Sequence, residues 1–366
     1  GSAGEEPPVT AADRASGAEL HPQLLAEFGG EYPGDEAAYV KQLGGRLAKA
    51  ADLDGQCTFT LVNSDVVNAF AVPGCYIYVT RGLLAIVNSE AELGAVLGHE
   101  LGHIVGRHSA RQQRRSLWQQ LGVVAVAVLT GSEQLTQIAG AAAGLFGLRY
   151  SRAQEYEADD LGIRYLRAAG LDPFESADML DALGRHEAHL TRTRGRDEAR
   201  SIPEWARTHP LSGNRAGRAV DAAKAMGLAD DELPERRANY LAAIDGMLFG
   251  DDPEQGFVLG RRFAHPVMRI AFEAPPGFTL TNSPQAILIE GPSGLRGQFA
   301  AMRGSGSLVR DSERLLTQLF EGASVSLTAS RPARINGLDA LVSEARASAN
   351  GQDVGVTIAA YAAGPT

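Results

Sequence analysis

His99-Glu100-Leu101-Gly102-His103 is an H-E-x-x-H arrangement. Residues four apart on a helix share a face, so both imidazoles can reach one metal ion. Glu100, turned by about a hundred degrees, lies beside that ion and can hold a water. A hydrolytic metal site needs three protein ligands and an open position for water. The best third ligand is Glu155, within Ser151-Arg152-Ala153-Gln154-Glu155-Tyr156-Glu157-Ala158-Asp159. Glu155 and Asp159 are again four apart and face one way. Ala158 and Gly162, on or near that face, would let this helix approach the first closely. Asp159 could then accept a hydrogen bond from the far nitrogen of a ligand histidine and fix its tautomer. Glu157 points elsewhere, toward solvent. The competing readings are a pair of satisfied core histidines and an ordinary polar helix face.

The elements that must position these residues are legible from period and punctuation. Ser89 to Ala110 is helical, with Ser89 and Glu92 as a capping box and Leu93, Val96, Leu97, Leu101, Ile104 and Val105 as its buried stripe. Ser151 to Ala169 forms a second helix, ended by Gly170, and Asp172-Pro173 starts a third. Ser212 caps a further helix to about Met226, and Pro234 opens one to about Phe249. Residues 187–203, charged and broken by Gly195 and Pro203, read as a mobile loop. Ahead of the motif, Leu20 to Ala51 is helical. From Cys57 to Arg81 the period changes: Thr58–Val62 and Tyr76–Thr80 read as strands, Val66 to Val72 lies between them, and Pro73-Gly74 turns the chain. That gives a small antiparallel sheet. Cys57 and Cys75 fall in this stretch of paired strands, where a disulfide is geometrically possible and two unpaired thiols are equally so.

The chain has 366 residues, more than one core usually holds, so two domains are expected. After Gly250-Asp251-Asp252-Pro253 the character changes to short β-like runs (Val267 to Phe272, Ala286 to Ile289, Val325 to Leu327, Val354 to Ala360) and one helix, Ser312 to Phe320. We therefore expect an α+β protein in three parts. Residues 1–19 are a flexible N-terminal segment. Residues 20–252 form a mainly helical domain carrying the motif and the small sheet. Residues 253–366 form a C-terminal α+β domain with a recognition or regulatory role. The net charge of −10 opposes non-specific nucleic-acid binding, so no nucleic-acid partner is expected. No run reaches the roughly 18–20 apolar residues of a membrane span. The apolar stretch 121–148 reads as a lid, as a contact with a membrane surface, or as plain packing. Gly1-Ser2 reads as a cloning remnant, and no signal peptide is visible within the chain.

Four segments together carry a resemblance: Asn68-Ala69-Phe70-Ala71-x-Pro73-Gly74, the H-E-x-x-H run, Ser151-Arg152-x-x-Glu155-x-x-Ala158-Asp159, and Thr208-His209-Pro210 followed by Arg215. In this order they resemble the M48 family of zinc metalloendopeptidases over roughly residues 20–250, in its soluble bacterial periplasmic branch. The resemblance implies a zincin-type metalloprotease domain with one Zn2+ per chain on His99, His103 and Glu155. It makes Glu100 the base, Asp159 a supporting acid and Arg152 a nearby structural arginine. Arg215 and His209 would then be the partners for a tetrahedral oxyanion, with Arg215 preferred. His209 has a second reading, as a plug over the open metal position, and a third, as a shaper of its turn. Polypeptide substrates would pair as an extended strand along Asn68, Ala69, Phe70 and Ala71. Unfolded or misassembled envelope proteins suit such pairing, in a periplasmic or outer-membrane-associated setting, with envelope assembly partners reached through the C-terminal domain. The alternative class is a non-proteolytic chaperone or assembly factor with a structural or vestigial zinc site. Cys75 stands where the family usually has glycine. His21, His108, His186, His189 and His265 receive no role.

Overall fold

Thr10 and Asp13 cap one another. The Thr10 side chain accepts from the Asp13 N–H and the Asp13 carboxylate accepts from the Thr10 N–H, which starts helix α1 (Ala11–Glu27). That start lies ahead of Leu20, where the hydrophobic period first becomes readable. The computed structural model describes residues 7–109, 150–194, 205, 209–210, 214–282, 284, 286–319, 324–349 and 352–362. The apolar stretch 121–148, Thr208, Ser212 and much of the 187–203 segment lie outside the described residues. The architecture is α+β. The described chain divides into two compact units, one holding residues up to Gly297 and the other those from Gln298 onward.

In the first unit, α2 (Asp35–Ala50) buries Val40, Leu43 and Leu47 against strand β1 (Thr58–Val62) and its neighbours. Strands β2 (Ala69–Val72) and β3 (Tyr76–Thr80) complete a sheet of order β1-β3-β2. The β2–β3 pair is the antiparallel hairpin that Pro73-Gly74 announces, with Phe70 opposite Tyr78. β1 instead runs parallel to β3, with Phe59 opposite Ile77, because the chain reaches β3 by way of β2 and so returns in the β1 direction. Cys57 and Cys75 form a disulfide that ties the start of β1 to the β2–β3 turn. Cys75 sits there at φ +62°, a left-handed conformation that explains why glycine suits this position.

After the short helix α3 (Arg81–Leu84), Ser89 caps α4 (Glu90–Val105) by accepting from the Glu92 N–H at 2.9 Å. The reciprocal half of the expected capping box is displaced by one residue: the Glu92 carboxylate accepts from Asn88 N–H at 2.8 Å. Helix α4 is buried from Glu90 to Ile104, as a helix apolar on most faces must be. It crosses α5 (Arg152–Ala168) at small residues. A Cβ on Gly102 would lie 2.7 Å from Ala158 O, and one on Gly98 3.1 Å from the Gly162 Cα. Helix α6 (Glu175–Arg194) begins later than the Asp172-Pro173 signal suggests, since Asp172 Oδ1 accepts from Phe174 N–H and spends its cap on a turn. Helices α7 (Arg215–Ala225) and α8 (Arg237–Ala243) follow, and α8 is shorter than the run to Phe249 that Pro234 suggests. Two small sheets close this region: β4 (Phe257–Leu259), β5 (Arg262–His265) and β6 (Ile270–Glu273), then β7 (Thr279–Asn282), β8 (Ile287–Glu290) and β9 (Arg296–Phe299).

The second unit pairs helix α9 (Leu308–Leu319) with an antiparallel sheet of β10 (Ser324–Ile335), β11 (Leu338–Ala349) and β12 (Gln352–Tyr361). Asn336 and Gly337, both at positive φ, make the two-residue hairpin between β10 and β11. Leu316, Ala345 and Ile358 form its core.

Candidate metal centre

Helix α4 carries His99, Glu100 and His103, and α5 carries Glu155 and Asp159; the glycine and alanine contacts between the helices bring these side chains together. His99 Nε2 and His103 Nε2 are 3.0 Å apart. Glu155 Oε2 lies 3.6 Å from the first and Glu155 Oε1 3.5 Å from the second. His209 closes the group, its Nδ1 3.1 Å from His99 Nε2 and 3.1 Å from Glu155 Oε1. One donor atom from each of these four residues lies within 4.8 Å of the others, and all four residues are buried. The edges of a tetrahedron around an ion bonded at 2.0–2.1 Å are about 3.3–3.4 Å, close to these separations, in which one Glu155 oxygen faces His99 and the other faces His103 and His209, so the group is of a size to hold one metal ion.

Charge and orphaned acceptors point the same way. Glu100, Glu155 and Asp159 face one guanidinium, that of Arg215, which leaves three minus one, or two, formal negative charges for a divalent cation. Glu100 Oε1 and Glu155 Oε2 are buried and accept no hydrogen bond among the described residues. Arg215 Nη1 comes to 2.8 Å from Glu155 Oε2, off the hydrogen-bonding direction. Burial, joined by the neighbouring Glu155, raises the Glu100 carboxyl well above its ordinary range, and burial raises Glu155. Burial lowers His99 and His103 and, with the Arg215 charge, takes His209 down to about 3, so the imidazoles are neutral, as ligands must be.

The supporting groups fix orientation. His99 Nδ1 is 2.9 Å from Asp159 Oδ1, which leaves Nε2 as the free lone pair. Burial alone would raise Asp159, but hydrogen bonds from Arg215 Nε at 2.8 Å and Nη2 at 2.7 Å, with the His99 bond, hold it well below the carboxylate range. Glu100 accepts a hydrogen bond from the backbone N–H of Ala71, so the outer edge of β2 abuts the cluster. Asn68, Ala69, Phe70 and Ala71 lie on or beside that edge strand, and no described group hydrogen-bonds the Asn68 carboxamide. Arg152 is exposed on the first turn of α5, and no described hydrogen bond or ion pair joins it to the cluster. Sequence reasoning passed over three neighbours: His108, hydrogen-bonded to His103; Tyr150, stacked on His103 at 3.9 Å; and Trp205, stacked on His209 at 4.9 Å. The H-x4-H spacing of His103 and His108 was the one signal available for them.

Crossing helices that offer two histidines and a glutamate to one centre, with a second glutamate at its side, define a metallopeptidase of the H-E-x-x-H type. The model of peptidase family M48 matches residues 35–223, and the chain belongs to that family. It is 32% identical over 198 residues to the beta-barrel assembly-enhancing protease of Yersinia pestis, which covers 51% of this chain and 39% of the relative. It is 29% identical to the protein of that name from Escherichia coli (strain K12), with the same coverage. It is 32% identical over 167 residues, 45% of this chain and 31% of the relative, to the mitochondrial metalloendopeptidase OMA1 of Arabidopsis thaliana. The chain thus spans about two fifths or less of these relatives' length.

Proposed function

We propose that this chain is a zinc-dependent endopeptidase that cleaves unfolded or misassembled polypeptides of the cell envelope and is held latent by His209. The carrying observation is the convergence of four buried donor atoms beside a buried, under-bonded Glu100. His99, His103 and Glu155 would hold the zinc. When bound, zinc supplies Lewis-acid polarisation of a peptide carbonyl and lowers the pKa of water to about 7. Glu100 takes the proton of the attacking water and later gives it to the leaving amine. Its burial raises its proton affinity, which suits a general base. Asp159 keeps His99 in the ligating tautomer, and Arg215 keeps Asp159 ionised. Arg215 and His209 are the donors for the oxyanion. The Arg215 contribution is charge, because its N–H groups are already committed to Asp159 and Pro210, with His99 Nδ1 and Glu155 Oε2 as its other close neighbours. His209 can serve only after leaving its present position, where its Nδ1 takes the place a fourth ligand would take.

Substrate would lie as an added strand along β2, whose Ala71 N–H already points at Glu100 and whose neighbour Asn68 offers an unmatched carboxamide. Backbone pairing gives affinity without sequence selectivity, which suits unfolded chains. The envelope setting, periplasmic or outer-membrane-associated, draws on the names of the two bacterial relatives and on the Cys57–Cys75 disulfide, a bond of oxidising compartments. Residues 253–366 would bind assembly partners. Metal analysis together with casein cleavage by wild type, Glu100→Gln and His209→Ala tests the proposal. Zinc near one per chain is expected in all three, with cleavage lost in Glu100→Gln by a factor of about 10²–10⁴. Metal bound but casein uncut by both wild type and His209→Ala would favour the non-proteolytic assembly factor.

A further inference from the structure

Helix α4 ends at Gly106, and Arg107 turns the chain through a left-handed conformation, φ +51°. That turn folds His108 back beneath His103, where it is fully buried. Its ring lies over Gly106 so closely that a Cβ there would meet His108 Nε2. His103 Nδ1 and His108 Nδ1 are 2.7 Å apart, and His108 Nε2 is 3.2 Å from Glu157 Oε2. The proton positions follow from one requirement. For His103 Nε2 to offer its lone pair to a metal, the hydrogen must sit on Nδ1, where it can only be donated to His108 Nδ1. His108 must then carry its own hydrogen on Nε2, which it donates to Glu157. Glu157 is 44% exposed and sits two residues from Glu155 on the same helix, so one turn of α5 reaches the centre from two sides.

We propose that Glu157 and His108 form a relay that orients His103 as a metal ligand, the counterpart of what Asp159 does for His99. The inference rests on the metal-binding reading of His99, His103 and Glu155. It makes His108 and Glu157 positioning residues, acting only through the His103 ring. It also assigns a purpose to Gly106, whose missing side chain leaves room for the His108 ring.

Zinc affinity by chelator competition and the ligand-field spectrum of the cobalt-substituted protein test the relay, with the melting temperature of the metal-free chain as the structural control. His108→Phe keeps the ring and removes the acceptor. It is expected to weaken zinc binding about 10–100-fold and shift the cobalt bands while the metal-free melting temperature holds. His108→Asn, whose carboxamide oxygen can still accept from His103 Nδ1–H, should restore part of that loss. Glu157→Ala, on an exposed side chain that cannot unfold the chain, should cost a smaller factor in the same direction, and Gly106→Ala should mimic His108→Phe. His103→Ala separates the two readings. If it binds zinc as wild type does, the metal site itself is wrong. If it loses zinc while His108→Phe and Glu157→Ala keep wild-type affinity and spectra, the relay is wrong. A loss in His108→Phe that His108→Asn does not relieve, with a lowered metal-free melting temperature, would reduce His108 to packing.

Discussion

His209 is the residue at which competing roles meet. Its Nδ1 stands 3.1 Å from both His99 Nε2 and Glu155 Oε1, and its Nε2 stands 3.4 Å from Glu100 Oε1. On the latency proposed above, a side chain so placed would occupy the position that substrate and water need. His209→Ala should therefore raise the casein turnover of the zinc-loaded chain severalfold or more; a fall would make His209 an oxyanion donor, and an unchanged rate would leave it a turn former. At this scale much of the centre was legible, because helical spacing is local. Residues four apart on one helix brought out His99 with His103, and Glu155 with Asp159. His108 and Glu157 were not legible. Their meeting depends on the left-handed turn at Arg107, a non-glycine residue whose conformation no pattern in the chain announces.

At the scale of elements, the α4–α5 crossing sets the distance between the imidazoles and Glu155. Gly102 meets Ala158 O and Gly98 meets the Gly162 backbone, so there is no side-chain layer to adjust. Gly102→Val should drive the helices apart and cost about 1–3 kcal/mol of stability, and it should weaken zinc binding more than Gly45→Val, at a glycine of α2 with open space around it. Equal zinc affinity in the two variants would contradict this. A second prediction concerns the junction of α4 with α6, where Ser89 hydrogen-bonds the buried Glu175. Burial, with Glu92, Asp178 and Glu235 nearby, pushes the Glu175 carboxyl from 4.5 up to about 7. The folded chain then binds more protons than the unfolded one across that window, so stability falls as pH rises through it. Glu175→Gln lacks this component. Its melting temperature relative to wild type should climb between about pH 5 and about pH 8, and a constant difference would refute the assignment. The helices that carry the site were readable from caps and period. The parallel pairing of β1 with β3 was not, because two apolar runs joined by a turn look the same whichever strand lies between them.

At the scale of the molecule, the M48 match over residues 35–223 covers the centre and its supporting sheet, and the described residues of the second compact unit, from Gln298 onward, lie beyond it. Its strands were only partly legible: β11, Leu338–Ala349, turns Leu341 inward on one face together with a serine and two alanines (Ser343, Ala345 and Ala347 are buried), and such small residues carry little β signal. The central claim is that separate parts of the chain hold one ion through His99, His103 and Glu155, with His209 as a displaceable fourth group. X-ray absorption at the zinc edge of the zinc-loaded chain measures this directly. The expected result is one zinc per chain with a nitrogen and oxygen shell at about 2.0–2.1 Å, three imidazoles in wild type and two in His209→Ala. A sulfur shell, or an imidazole count that stays the same when His209 and then His103 are replaced, would contradict it.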